Sequence, residues 1–124
     1  MNTLRTFAAL AILTSSVAPA LAAPIASAKS FDGGWSVLIV TEKGTCDRAY
    51  RYPVKIENGA VGYAGSASFN VTGKVGANGA VTVTVSRGDK SATGTGRMSG
   101  TDGAGTWSAA SGECSGTWTA ERRS

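Results

Sequence analysis

Apolar and polar residues alternate along most of the chain from residue 31 onward. The clearest stretch is 81–86, where valines alternate with threonine and serine, and 50–57 has the same period with tyrosines, valine and isoleucine on one face. Because successive side chains of a strand point to opposite faces of a sheet, this period predicts half-buried β-strands. The chain after residue 30 shows no helical periodicity of useful length. The pattern predicts an all-β domain of eight strands.

Turn-forming dipeptides lie between several of these predicted strands and indicate how the strands connect. Asn58-Gly59, Asn78-Gly79 and Asp102-Gly103 accept the positive φ angles of type I′ turns, so each predicts a tight antiparallel hairpin. Pro53 lacks an amide hydrogen and predicts a bulge or irregular pairing in the second strand. A meander of eight strands can close into an up-and-down barrel, which leaves no exposed sheet edge. The connections predicted at the other end of the barrel are generally longer and span 43–48, 65–68, 88–90 and 110–113.

Two cysteines bear on this closure. Cys46 falls in the first predicted connection and Cys114 follows the seventh strand, so both lie at one end of the barrel and become neighbours when strand eight meets strand one. In an oxidising compartment, a lone pair of cysteines predicts a disulfide. No metal is expected, since the sequence contains no His and the two cysteines are far apart.

Residues 1–22 have the layout of a secretory signal peptide. Arg5 is their only charge, an apolar run follows it, and Ala20-Leu21-Ala22 supplies a small-residue cleavage site. An uncleaved anchor is the alternative, disfavoured because polar residues interrupt the apolar run. We therefore expect a secreted or periplasmic protein without a transmembrane segment. Its predicted parts are a signal peptide at 1–22, a flexible leader at 23–30 and a β-barrel domain at 31–124.

The charge balance and the residue types argue against several functions. Twelve basic residues face eight acidic ones, for a net charge of +4. The basic residues are scattered, with no run longer than Arg122-Arg123, so we expect no nucleic-acid partner. General acid-base catalysis usually calls on His or on paired, shielded carboxylates, whereas here the carboxylates fall in turns or on outward faces. We expect a monomer that is not an enzyme and uses no cofactor.

The interior of the predicted barrel leaves two interpretations open. An eight-stranded barrel is just wide enough for side chains or for one small ligand, so the inward aromatic residues either fill a solid core or wall a pocket that opens among the longer connections. The large residues expected to point inward are Trp35, Tyr50, Tyr52, Tyr63, Phe69, Trp107 and Trp118. Arg87-Gly88-Asp89 also matches an integrin-binding tripeptide. Glycine and aspartate also favour tight turns, so we rank adhesion below both interpretations. The ligand-binding residues expected for a pocket are Arg48, Tyr50, Tyr63, Arg87, Lys90 and Trp107.

Two motifs carry a resemblance to known families. Gly33-Gly34-Trp35 opens the domain with Gly-x-Trp, and Trp107 and Trp118 lie on late strands of the meander. In this the chain resembles the small exported barrels of the calycin type, such as avidin-like proteins and lipocalins. Its end, Cys114–Arg122, is similar to a Cys-x-Gly-x-Trp-x-Ala-Glu-Arg motif of short exported bacterial proteins of uncharacterised function. The resemblance implies a barrel that binds an apolar or aromatic small molecule, or a stable envelope module without a ligand.

A second resemblance supplies the alternative function. Small periplasmic inhibitors of bacterial metalloproteases are also eight-stranded barrels that begin with Gly-x-Trp and carry one disulfide, and their N-terminal leader enters the protease cleft. Residues 23–30 would be that leader here. The chain departs from this pattern in its cysteines, because those inhibitors carry the disulfide nearer the first half of the domain. The alternative is therefore a periplasmic or secreted protease inhibitor.

Overall fold

Eight strands follow a short 3₁₀ helix in the computed structural model, which describes residues 28–124. None of the helices in this part of the chain is long and apolar enough to cross a membrane. The signal peptide predicted at 1–22 and residues 23–27 of the predicted leader lie outside the described residues. The elements are the 3₁₀ helix Ala28–Phe31 and the strands β1 Gly33–Lys43, β2 Ala49–Glu57, β3 Ala60–Tyr63, β4 Asn70–Val75, β5 Ala80–Arg87, β6 Lys90–Ser99, β7 Asp102–Ala109 and β8 Ser115–Arg122.

The strands form one closed antiparallel barrel in which each strand pairs with the next along the chain. Closure comes from β1 and β8, whose register places Ile39 opposite Trp118. Valine and other inward residues alternate with threonine and other outward residues, as the period-two pattern requires. The predicted all-β, eight-stranded up-and-down barrel is confirmed, and it is consistent with a calycin-like fold.

The predicted disulfide is also confirmed. Cys46 and Cys114 are bonded, with their Cα atoms 6.1 Å apart. Cys46 lies in the β1–β2 connection and Cys114 directly precedes β8, so the bond ties together the two strands that close the barrel. Disulfides persist in oxidising compartments, and this one points to such a compartment.

The three dipeptides proposed as turns meet different outcomes. Asn58 and Gly59 have φ angles of 51° and 78° and join Glu57 to its partner Ala60, as a type I′ turn does. Gly79 also has a positive φ, 88°, but Asn78-Gly79 ends a longer connection that spans 76–79. Both dipeptides therefore lie in the predicted hairpin connections.

The third dipeptide is not a turn. Asp102 already belongs to β7 and pairs with Ser99, so the two residues between the strands are Gly100 and Thr101. Gly100 has a φ of 60°, which suits the first central position of a type II′ turn. The hairpin was predicted correctly, but its turn lies two residues earlier because a glycine was available there.

The 3₁₀ helix packs against one end of the barrel, which we call the closed end. Phe31 is buried, and its carbonyl oxygen accepts a hydrogen bond of 2.8 Å from Nε1 of Trp35. The guanidinium of Arg122 lies 5.1 Å from the Trp35 ring centre and donates to the carbonyl of Ser30. These contacts tie the last residue of the predicted leader to the barrel. The inhibitor hypothesis depends on the whole segment 23–30 and stays a prediction.

The indole of Trp118 packs against glycines of β6 and β7, which are Gly94, Gly96, Gly103 and Gly105. A Cβ atom at Gly96 would lie 2.6 Å from Cζ2 of Trp118 and 2.7 Å from Cα of Gly105, too close for any real contact. A Cβ atom at Gly94 would lie 3.4 Å from Nε1 of Trp118, an ordinary van der Waals contact. Gly96 is therefore required by close packing, whereas Gly94 is not.

The substitution Gly96→Ala should lower the free energy of unfolding by about 1–3 kcal/mol, because the added methyl group pushes the Trp118 indole and the β7 backbone away from β6. Gly94→Ala is the matched control on the same strand and face. It should leave stability unchanged or raise it slightly, since alanine is the better strand residue. Urea denaturation of the two variants measures the difference. Equal midpoints would contradict the close packing assigned to Gly96.

Candidate ligand-binding cavity

The inward side chains do not fill the barrel. They surround a cavity of about 200 Å³. Every strand from β1 to β8 contributes to its wall, and the lining side chains are aliphatic or aromatic. The lining residues are Trp35, Val37, Ile39, Tyr50, Tyr52, Val54, Ile56, Val61, Phe69, Val75, Val81, Val83, Val85, Ala92, Gly94, Met98, Trp107, Trp118 and Ala120.

Exposure along the strands shows where the cavity meets solvent. On β5, Val81 near the closed end is buried, whereas Val83 and Val85 are partly exposed. Trp35 at the closed end is only 1% exposed, and Tyr50 at the other end is 40% exposed. The cavity therefore opens at the end that carries the connections 44–48, 64–69, 88–89 and 110–114, which we call the open end.

Four aromatic rings form a cluster at the open end. Tyr50, Tyr52, Tyr63 and Phe69 contact one another with ring centres 5.6–6.4 Å apart. Phe69 and Tyr52 are the two central rings, since each neighbours the other three. Tilted and edge-on pairs at these distances add to the stability that burial supplies.

This cluster occupies a part of the wall where strand pairing is short. The β2–β3 pairing reaches only Val54 and Tyr63, and β3 pairs with β4 through two residues. Pro53 lies next to that limit and accepts a hydrogen bond of 3.2 Å from the amide of Ala64 through its carbonyl, but it has no amide hydrogen to return. The register with β1 passes through Pro53 without a shift. The irregularity predicted at Pro53 thus takes the form of an early end to the β2–β3 pairing, not of a bulge.

The hydrogen bonds made by the aromatic residues differ along the cavity. Nε1 of Trp107 donates to the carbonyl of Val40 at 3.0 Å, and the Tyr63 hydroxyl accepts from the amide of Ala67 at 3.3 Å. Tyr52 is only 9% exposed, yet among the hydrogen bonds of residues 28–124 none involves its hydroxyl. The hydroxyl oxygen is not among the fully buried, unpartnered side-chain atoms of this part of the chain, so a ligand atom can reach it, and Tyr52 lines the cavity.

Burial raises the pKa of Tyr52 to about 12, and repulsion by the charge that Tyr50 carries when it is ionised adds to the rise. A tyrosine phenol is protonated at neutral pH already, and the raised pKa extends that state to higher pH. A protonated phenol can donate one hydrogen bond to an acceptor in the cavity.

The residues predicted to bind a ligand all map to the open end, but their positions differ. Tyr50 and Trp107 line the cavity. Tyr63 and Arg87 reach it through Phe69, with the Arg87 guanidinium 5.3 Å from the Phe69 ring centre. The other two predicted residues, Arg48 and Lys90, are exposed and lie outside the lining.

Sequence reasoning assigned Phe69 and Tyr52 to the inward set but not to the mouth of the pocket. Phe69 directly precedes β4 and continues its inward alternation, but its place at the mouth depends on how the connection 64–69 folds. Tyr52 shares a face with Tyr50, and that spacing of two residues could have linked it to the mouth.

Among residues 28–124, no set of three or more His, Cys, Asp or Glu side chains is close enough together to hold a metal ion. The site is an apolar cavity with aromatic and charged groups at its opening. No protein-family model matches the chain, and neither the curated proteins nor the solved structures give a significant match to it.

Proposed function

We propose that this protein is a small exported barrel that binds an apolar or aromatic small molecule in its cavity. The observation that carries the proposal is the unfilled cavity of about 200 Å³, lined by aliphatic and aromatic side chains and open at the end where Tyr50 is exposed. Export to the periplasm or the exterior is part of the proposal. The signal-like layout of residues 1–22 and the disulfide support it.

The energetics of packing favour a binding role over a purely structural one. Apolar volume left unfilled inside a barrel carries a cost, because the lining side chains lose the packing partners that larger residues would supply. Ala92 and Gly94 line the cavity, and larger side chains at these two positions would fill much of it. A barrel selected only for stability would be expected to carry them.

The volume also restricts the size of the ligand. Pockets for drug-sized molecules measure about 300–1,000 Å³, whereas an apolar cavity of about 150 Å³ accepts benzene. A cavity of about 200 Å³ fits a compound of one or two rings better than a haem, a flavin or a long fatty acid.

Filling the cavity provides the test. Ala92→Phe places a ring inside the barrel near the open end, and Thr93→Phe places the same ring on the outer face at the next position of β6. Tryptophan fluorescence of the native protein should change on titration with indole, naphthalene or benzyl alcohol, because Trp107 and Trp118 line the cavity. Bound ligand should also raise the unfolding temperature.

We expect Ala92→Phe to abolish both responses and Thr93→Phe to retain them. Flavins, haem and biotin-like compounds complete the panel as larger probes. If no compound changes the fluorescence or the unfolding temperature of the native protein, the binding proposal should be abandoned.

A further inference from the structure

Two basic side chains face each other at the end of the β5–β6 hairpin. Arg87 and Lys90 are the last pair before the two-residue turn Gly88-Asp89. Like charges directly opposite each other on paired strands are destabilising. Continuing the alternation of the inward residues Val85 and Ala92 places both basic residues on the side of the hairpin that faces the cavity opening.

The surroundings do not neutralise this pair by direct contact. Within residues 28–124, no acidic side chain comes within 4.0 Å of Arg87 or Lys90, since the ion pairs found there are Lys55–Glu57 and Arg123–Glu121. Arg48, which precedes Tyr50 by two positions, adds a third positive charge at the open end. The charged residues on the other elements around the opening are Glu42 and Lys43 on β1, Asp47 in the β1–β2 connection, Asp89 in the turn itself and Glu113 in the β7–β8 connection.

The Arg87 guanidinium is held in a defined place. It lies over the Phe69 ring at 5.3 Å from the ring centre, a cation–π contact that fixes one face of the planar group. Its N–H groups point outward in the plane of the guanidinium, where they can form two parallel hydrogen bonds to a carboxylate. Phe69 itself lines the cavity, so the cation and the apolar wall meet at one residue.

A second polar group points to the same kind of ligand. Tyr52 is only 9% exposed. It lines the cavity and belongs to the same ring cluster as Phe69. Its hydroxyl has no partner among the described residues and can donate to an acceptor oxygen. A ligand with an acceptor group at one end of an apolar body would use both Arg87 and Tyr52.

We propose that the ligand is a small aromatic acid, whose ring occupies the cavity beside the aromatic cluster and whose carboxylate binds Arg87 with support from Lys90. The inference rests on the proposed function and specifies its ligand class. The cavity volume limits the body to one or two rings, and the Arg87 guanidinium, held over the cavity-lining Phe69, selects the negative charge.

Matched acids and amides test the inference. Benzoate and 3-phenylpropanoate have nearly the same shape as benzamide and 3-phenylpropanamide. A difference in affinity between an acid and its amide therefore measures the effect of the carboxylate charge. We expect each acid to bind about tenfold more tightly than its amide in calorimetric titration at low salt, since a hydrogen-bonded charge pair contributes on that scale. Added salt should reduce the difference.

Three variants locate the contact. Arg87→Gln should weaken binding of the acid far more than binding of the amide, and so remove the preference for the acid. Lys74→Gln makes the same charge change on the outer face of β4 and should leave both affinities unchanged. Tyr52→Phe should weaken the acid severalfold. Far-ultraviolet circular dichroism checks that each variant is folded.

The outcomes separate this inference from the function on which it rests. If the amides bind as tightly as the acids, or if Arg87→Gln affects both equally, the acid specificity is wrong and the cavity remains a binding site for neutral rings. If neither acids, amides nor the neutral aromatic panel bind, the proposed function fails and the inference fails with it.

Discussion

Replacing both Cys46 and Cys114 with serine should lower the free energy of unfolding by about 4 kcal/mol. The bond closes a loop across a sequence separation of 68 residues, and the loss of loop-closure entropy in the unfolded chain is of that size in the chain-entropy model. For a small domain, this is a large share of total stability, which is typically about 5–15 kcal/mol. Guanidinium denaturation of the oxidised protein and of the double variant measures the difference.

The native protein in reductant is the matched control for this prediction. Reduction breaks the same bond without changing the sequence, so the reduced native protein and the double variant should unfold at the same denaturant concentration. The double variant should be insensitive to reductant. If the oxidised protein and the double variant unfold at equal concentrations, the bond does not stabilise the closure of β1 against β8.

The architecture could be predicted because its determinants are local or pairwise. Alternation fixes which side chains share a face, as in the run from Val81 to Val85. The positions of Cys46 and Cys114 then add a long-range constraint, since a disulfide between them joins the first connection to the start of the last strand. Periodicity and one cross-link together are enough to predict a closed meander.

The turn between β6 and β7 could not be predicted to the residue, because two neighbouring dipeptides satisfy the same requirement. Asp102-Gly103 and Gly100-Thr101 can each provide a positive φ in a two-residue turn. The choice depends on the register of the flanking strands, in which Ser99 pairs with Asp102 and Met98 with Gly103. That register buries Met98 inside the barrel. This is a tertiary contact, which the turn preferences of a dipeptide cannot predict.

The candidate site was predictable in composition but not in shape. Tyr50 and Trp107 were expected at the mouth and do line the cavity, because alternation and proximity to the connections identify them. Whether the inward residues fill the barrel depends on the total volume of their side chains across eight strands. Alternation shows which residues point inward but not how much of the interior they fill. The contact between Arg87 and Phe69 likewise depends on how the 64–69 connection folds back toward β5.

Trp35→Ala should destabilise the protein by about 3–5 kcal/mol, the range observed when a buried aromatic residue is truncated. Trp35 is only 1% exposed, and its loss removes three contacts: the hydrogen bond to the Phe31 carbonyl, the cation–π contact with Arg122 and the packing at the closed end. The 3₁₀ helix should then detach from the barrel. Thermal or denaturant unfolding measures the stability, and faster amide hydrogen exchange at Phe31 and Asp32 reports the detachment.

Trp107→Ala is the matched comparison, since it truncates the same residue type in the same cavity but at the open end. Trp107 is partly exposed and its indole reaches the Val40 carbonyl, so its truncation should cost less stability than that of Trp35. It should, however, weaken binding of aromatic ligands, because its indole forms part of the wall beside the opening. Trp35→Ala, measured where the variant is still folded, should affect binding less than stability. If the two variants lose stability and affinity in equal proportion, the division of the barrel into a structural closed end and a ligand-binding open end is wrong.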